Sequence, residues 1–173
     1  MKRTIIVICA LLLSAASFAQ TYDLDFTQTK RLKASGKTTV MKGHMTFDGK
    51  DQLKMDYSDP AGDFFIVDGN KVNMNLMGVK TELDAEKVPM VALQRSTLLN
   101  CLSGNWEQAA KDNNATSEVT EKTGFRTVRI AAKGVIPRGG YKSVTLTYRI
   151  KDGRVSRLIL EEPGGIENTY EMR

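Results

Sequence analysis

The stretch Met41-Lys42-Gly43-His44-Met45-Thr46-Phe47-Asp48-Gly49-Lys50-Asp51-Gln52-Leu53-Lys54-Met55-Asp56-Tyr57 decides the fold class. Met41, Met45 and Phe47 share one parity, and Lys42, His44 and Thr46 share the other. Leu53, Met55 and Tyr57 alternate in the same way with Lys54 and Asp56. Side chains on a strand point to opposite faces in turn, so each run reads as a strand with one apolar face. The Asp48-Gly49 pair between the runs is a hairpin signal, because both residues accept the backbone angles of a tight turn.

The same pattern recurs outward from this hairpin. Val72, Met74 and Leu76 alternate with Lys71, Asn73 and Asn75, and Val144, Leu146, Tyr148 and Ile150 alternate with Ser143, Thr145, Thr147 and Arg149. Ile166, Tyr170 and Met172 close the chain similarly, while Phe64 to Val67 and Phe125 to Ala132 are more uniformly apolar or mixed. Asp68-Gly69, Gly78 and Asp152-Gly153 punctuate the runs, and Gly134 to Gly140 reads as a hairpin loop. This spacing predicts roughly ten or eleven short strands in a sandwich or barrel built as a meander.

Two regions depart from alternation. From Lys87 to about Asp112 the chain reads as helix, with Pro89 in the first turn and Val91, Leu98, Leu99 and Leu102 as an apolar stripe. Ser103-Gly104-Asn105 breaks it, and Trp106 to Lys111 forms a second short helix before a polar loop at Lys111 to Ala115. Thr21 to Lys33 supports two readings. Tyr22, Phe26 and Thr29 share a helical face, but Leu24, Phe26 and Gln28 also alternate as a strand.

At the N-terminus, Lys2 and Arg3 precede an apolar run from Thr4 to Leu13, and small residues end in Ser17-Phe18-Ala19. That order is a secretory signal peptide over residues 1–19, with cleavage after Ala19. The run is shorter than the roughly 20 residues that span a bilayer. Residues 20–173 then form one domain, whose charge falls from +5 to +3 with the loss of Lys2 and Arg3. Basic and acidic residues are interspersed, which argues against nucleic-acid binding. Cys101 is the one cysteine of the mature segment, so no internal disulfide is expected there. It sits in an apolar helical stretch and reads as a small buried hydrophobe.

The chemistry available to an enzyme is sparse. His44 is the single histidine and lies on the solvent-facing parity of its strand. A metal centre usually recruits three or four His, Cys or carboxylate ligands, and a serine triad would have to use this one histidine. No Gly-x-Ser-x-Gly elbow is present, and Glu161 and Glu162 are adjacent strand residues that point to opposite faces. No catalytic residue, metal or cofactor is nominated. Six of the eight methionines fall between Met41 and Met90. Methionine is flexible and polarisable, which suits either an ordinary core or a surface that adapts to varied apolar partners.

Phe26-Thr27-Gln28-Thr29-Lys30, then Gly43-His44-Met45-Thr46-Phe47, then Leu53 to Pro60 with Tyr57-Ser58-Asp59-Pro60 at its end, and then Phe65-Ile66-Val67-Asp68-Gly69-Asn70-Lys71-Val72 follow one another in order. This series resembles the periplasmic outer-membrane lipoprotein carrier (LolA-like) family over Phe26 to about Val72. The sequence departs from the family pattern where an Arg-Pro pair and an aromatic usually precede the tyrosine: here the stretch runs Phe47 to Met55, with Met55 in place of the aromatic.

The resemblance implies an incomplete, half-open antiparallel β-barrel with a helical lid. It also implies a non-enzymatic periplasmic chaperone that holds the acyl chains of lipoproteins and escorts them from inner to outer membrane. The implied partners are acylated lipoproteins or other lipids, an inner-membrane ABC-type release complex and an outer-membrane acceptor, with transient membrane contact. On this reading a hydrophobic cavity is lined by Met41, Met45, Phe47, Leu53, Met55, Tyr57, Phe65, Val72, Met74 and Leu76, with Val91, Leu98 and Leu102 on the lid. The alternatives are a carrier of another acyl or polyene lipid on the same fold, a non-catalytic structural β domain with a filled core, and a hydrolase that uses His44.

Overall fold

Asp48 shows how the alternating runs become a sheet. Its Oδ1 accepts hydrogen bonds from the backbone N–H groups of Lys50, Asp51 and Gln52 at 2.8, 3.1 and 3.0 Å. The chain reverses at Gly49, whose φ of +87° is open to glycine at little cost. The strands on either side then pair with Phe47 opposite Leu53 and Met45 opposite Met55, so the apolar parities share one face.

The structure, a computed structural model, describes residues 20–173. The expected signal peptide at 1–19 lies outside the described residues. Among the described residues there are eleven strands: β1 (Tyr22–Leu32), β2 (Thr38–Phe47), β3 (Gln52–Asp59), β4 (Ala61–Asp68), β5 (Lys71–Leu76), β6 (Val79–Asp84), β7 (Ala115–Lys122), β8 (Phe125–Ala132), β9 (Ser143–Arg149), β10 (Val155–Glu161) and β11 (Ile166–Met172). Two helices, α1 (Pro89–Leu102) and α2 (Trp106–Asp112), separate β6 from β7. Pro89 opens α1, and Ser103 to Asn105 separates the helices, as the sequence predicts.

Of the two readings of residues 21–33, the strand is correct. Tyr22, Phe26 and Gln28 are buried on one side of β1. A spacing of four residues fits both a helical turn and a strand face, which is why the local pattern does not discriminate. Pairing decides it: β1 lies between β2 and β11 and hydrogen-bonds to both. Phe26 crosses the sheet face beside Gly43, where a side chain would collide with its ring and with the Asp56 carbonyl.

All pairs are antiparallel, in one sheet of order β6-β5-β4-β3-β2-β1-β11-β10-β9-β8-β7. The chain enters at the centre, meanders to one edge at β6, crosses to the opposite edge at β7 and meanders back beside β1. The two edges do not pair with each other, so the barrel is half open. The crossing segment is α1 and α2, so connectivity carries the helices over the concave face. Neither edge strand is among the runs read from the sequence, although Val79, Thr81 and Leu83 of β6 do alternate with Lys80, Glu82 and Asp84. In β7, Ala115-Thr116-Ser117-Glu118-Val119-Thr120-Glu121-Lys122 is exposed from Thr116 onward, and its charges blunt an edge that would otherwise template further pairing. The polar stretch expected as a loop at Lys111 to Ala115 is divided between the end of α2, a turn at Asn113 and Asn114, and the start of β7.

Candidate functional site

One end of the concave face is plugged. The Tyr22 hydroxyl donates to the Leu102 carbonyl at 3.0 Å and accepts the N–H of Val155 at 2.9 Å. The Tyr148 hydroxyl donates to the Cys101 carbonyl at 3.1 Å. The last carbonyls of a helix have no partner within it, and these two tyrosines satisfy two of them from the barrel wall. Phe47 stacks near Tyr22 with ring centroids 6.0 Å apart. Leu102, Cys101, Leu53 and Leu146 are almost fully buried.

Towards the other end of the strands, the space between sheet and α1 is not filled. A cavity of about 570 Å³ opens there, within the range of roughly 300–1,000 Å³ typical of ligand pockets. Its walls include Met41, Met45, Met55, Tyr57, Phe65, Val72, Met74 and Leu76 from β2 to β5, and Val91, Leu98 and Leu102 from α1. Eleven of the thirteen residues singled out from the sequence therefore border one space.

Phe47 and Leu53 do not border it. They share the inward parity but lie at the plugged end, against Tyr22, and belong to the filled core. Parity alone reports the face of a strand and says nothing of how far along it the packing stops. In the uniformly apolar stretch Phe64 to Val67, where parity does not mark a face, Phe65 is the phenylalanine that borders the cavity.

Sequence reading missed the polar part of the wall. Gln28 and Lys30 on β1, Asn168 and Tyr170 on β11, Glu162 beyond β10 and Tyr141 in the β8–β9 loop all border the space. The Tyr57 hydroxyl donates to Gln28 Oε1 at 2.6 Å, Gln28 Nε2 donates to Asn168 Oδ1 at 3.1 Å, and Asn168 Nδ2 donates to Glu162 Oε1 at 3.1 Å. This ladder crosses β3, β1 and β11 and satisfies polar groups that burial would otherwise make costly. Burial pushes the Tyr57 hydroxyl up to about 12, and it raises Tyr141 and Tyr170 as well, so all three remain hydrogen-bond donors at neutral pH. The parity of Phe26, Gln28 and Lys30 carried part of this signal.

Arg95 is a second missed residue. It lies on α1 between Val91 and Leu98, borders the cavity, and donates through Nε to the Gly69 carbonyl in the β4–β5 turn. The helix is thus tied to the sheet at the turn as well as at its C-terminal end. Asp63, buried on β4, accepts the Met77 N–H with both carboxylate oxygens at 2.9 and 3.0 Å. That holds Met77 at a φ of +55° with its side chain 90% exposed on the rim.

A family model of the outer membrane lipoprotein carrier protein LolA matches residues 17–173. The chain belongs to the LolA family. No curated protein matches it at a significant level. Among solved structures it is similar to a LolA superfamily protein from Nitrosomonas europaea, at 8% identity over 90% of this chain and 84% of that one, with a TM-score of 0.41. It is also similar to LprF from Mycobacterium bovis, at 13% identity over 90% and 85% of the two chains with a TM-score of 0.39. A chain of the Pseudomonas aeruginosa MucA/MucB complex is similar at 11% identity over 90% of this chain and 51% of that one, with a TM-score of 0.47.

The LolA fold leaves His44 on the outer face. Its Nδ1 and Nε2 lie 2.9 and 2.8 Å from carboxylate oxygens of Asp25 and Asp23. Carboxylates only accept, so making both bonds requires the doubly protonated ring. Those two bonds, with Asp25 first, raise the His44 pKa. A general base needs a free ring nitrogen near its proton, and neither nitrogen is free here. Cys101 is fully buried, and burial pushes its thiol up to about 12, which makes it a poor nucleophile. Among the described residues, no cluster of three His, Cys, Asp or Glu is placed to hold a metal, and no helix is long and apolar enough to cross a membrane.

Proposed function

We propose that the protein is a periplasmic carrier that shelters the acyl chains of lipoproteins and escorts them from inner to outer membrane. Residues 1–19 serve as its signal peptide, and residues 20–173 form its single carrier domain. The observation that carries this reading is the methionine-rich cavity between the sheet and α1. Each buried methylene of an acyl chain is worth about 0.8 kcal/mol, so free passage of such chains through water is prohibitive. A cavity with flexible thioether walls can accept chains of varied length and bend.

Loading requires α1 to move, since Val91, Leu98 and Leu102 cover the space. Arg95 supports a role for α1 as a lid: one charge-assisted bond to a backbone carbonyl is worth roughly 1.5–3 kcal/mol, enough to favour closure without forbidding opening. The family's usual arginine is absent, and Arg95 supplies a tie from the helix side instead. The partners on this reading are acylated lipoproteins or other lipids, an ABC-type inner-membrane release complex and an outer-membrane acceptor. The protein performs no reaction of its own.

A second reading, a carrier of a different acyl lipid on the same fold, is favoured by two lysines that border the cavity, Lys30 and Lys37. Mass spectrometry of the mature protein, purified gently from its native periplasm, separates the two. A bound diacylated or triacylated lipoprotein supports the first reading, and a free lipid supports the second. An empty protein that also refuses added lipid overturns both. Met74→Asp should abolish binding of a hydrophobic dye while the β spectrum persists. Unchanged binding would remove Met74 from the site.

A further inference from the structure

The wall of the cavity is not uniformly apolar, and its polar part lies at the mouth. Lys30 stands opposite Thr39 on one side and Asn168 on the other in the strand register. Lys37, whose carbonyl accepts the Leu32 N–H at 2.9 Å, is the diagonal neighbour of Lys30 across the β1–β2 hairpin. Diagonal neighbours on one face of such a pair are about 7–8 Å apart, close enough for both ammonium groups to reach one anion. Tyr170 stands opposite Gln28, two residues along the same face from Asn168.

The charged groups bordering the cavity are Lys30, Lys37, Arg95, Asp63 and Glu162. Arg95 is tied to the Gly69 carbonyl and Asp63 to the Met77 N–H, while Glu162 accepts one hydrogen bond from Asn168 through Oε1 and keeps its negative charge. Among the described residues, neither lysine ammonium has an ion-pair or hydrogen-bond partner, whereas the outward-facing Lys33 bridges Glu161 and Glu167 at 2.9 and 3.3 Å. The hydroxyls of Tyr141 and Tyr170 also make no hydrogen bond among the described residues, although both rings border the cavity. Two donors without acceptors beside two cations without anions mark a place for an oxygen-rich anionic group.

We propose that this mouth is a headgroup subsite for an acylated anion, with Lys30 and Lys37 holding its oxyanion, Tyr141 and Tyr170 donating to its neighbouring oxygens, and its chain lying in the methionine-lined cavity. The inference rests on the reading of the cavity as an acyl-chain site. Either a carboxylate or a phosphate satisfies this chemistry, since both present several acceptor oxygens to ammonium and hydroxyl donors. The subsite also orients the cargo, with its anion at the mouth and its chain towards the end plugged by Tyr22.

The test is a fluorescence titration of the mature protein with anthroyloxy-labelled palmitate and with its methyl ester, at low and high salt. The acid should bind about tenfold more tightly than the ester, and the gap should narrow as salt screens the lysines. In the double variant Lys30→Gln/Lys37→Gln the acid should lose its advantage over the ester. In Tyr141→Phe/Tyr170→Phe, acid and ester should weaken together. Displacement of the labelled acid by palmitate supports a carboxylate cargo, and displacement by a palmitoyl lysophosphatidate supports a phosphate cargo. Equal affinity for acid and ester, or a preference that survives loss of both lysines, overturns the subsite while leaving the acyl-chain site intact. If neither probe binds, the acyl-chain site itself fails.

Discussion

The hydroxyl of Tyr22, at the start of the first strand, donates a 3.0 Å hydrogen bond to the carbonyl of Leu102, the last residue of α1. Eighty positions separate them, and the same oxygen accepts the Val155 N–H from a third element. One phenol thus joins the centre of the sheet, the end of the helix and β10. The consequence is asymmetry. The C-terminal end of α1 is held by two tyrosines of the barrel wall, whereas its middle is tied only through Arg95 to the Gly69 carbonyl.

Tyr22→Phe keeps the ring and removes that junction. It strands a buried N–H and a buried carbonyl, each costing about 1–3 kcal/mol. The expected outcome is a lower urea midpoint with an unchanged m-value. An unchanged midpoint would mean that the two backbone groups find other partners.

The boundary between filled core and open cavity makes opposite predictions for two residues on the same sheet face. Leu53→Ala should lower stability by about 2–5 kcal/mol, because Leu53 is enclosed on all sides, and leave dye binding nearly intact. Met74→Ala should cost less stability, because one side of Met74 already faces empty space, and should weaken dye binding. Paired chemical denaturation and dye titration would reveal a reversed pattern if the boundary lies elsewhere.

Glu161 faces outward, where Lys33 and Lys142 sit 2.9 and 3.1 Å from its Oε1. Lys33 first, then Lys142 and Ser143, hold its carboxyl down at about 2, against an ordinary value of 4.5. A depressed folded value contributes stability that is present above pH 4.5 and is lost as pH falls through about 2. Unfolding midpoints of the wild type and Glu161→Gln should therefore differ at neutral pH and converge in strong acid. Parallel curves would show that the ion pairs carry no linkage.

His44 titrates with the opposite sign. Asp25 and then Asp23 raise its folded value above 6.5, so its contribution is complete below that pH and is lost as pH rises through the folded value. NMR titration of the ring should give a pKa above that of His44 in the urea-unfolded chain. An unshifted ring would mean that the two carboxylates do not hold it. His44→Ala should leave ligand binding unchanged, since the ring is on the outer face.

Cys101 should not react with a thiol reagent in the native state, and labelling should track unfolding, because the thiol is enclosed and held protonated by burial.

Residues 41–57 specified a two-stranded unit with one apolar face from their parity and one Asp-Gly turn, and eight of the eleven strands among the described residues were read from their apolar residues or left a competing reading. β6, β7 and β10 were not read: β6 is short and half charged, β7 is exposed along nearly its whole length, and the register shift between Val155 and Arg157 breaks the alternation of β10. Helix and break were readable from Pro89 and Ser103-Gly104-Asn105, since both act on the local backbone.

The sequence by itself therefore determined most of the strands, the turns between them, the helical interruption and, where residues alternate, which side of a strand is apolar, all short-range consequences of backbone geometry and burial. Tertiary structure decided that β1 is a strand, because only pairing on both sides separates a four-residue spacing from a helical turn. It also decided where packing stops. Phe47 and Leu53 share a parity with Met45 and Met55, but only the tyrosines that plug one end make the first two core and leave the latter two bordering a cavity. The polar part of the wall was beyond local reading for the same reason: Gln28 and Lys30 stand beside Tyr170 and Asn168 only because β1 pairs with β11, a contact between the first and last strands.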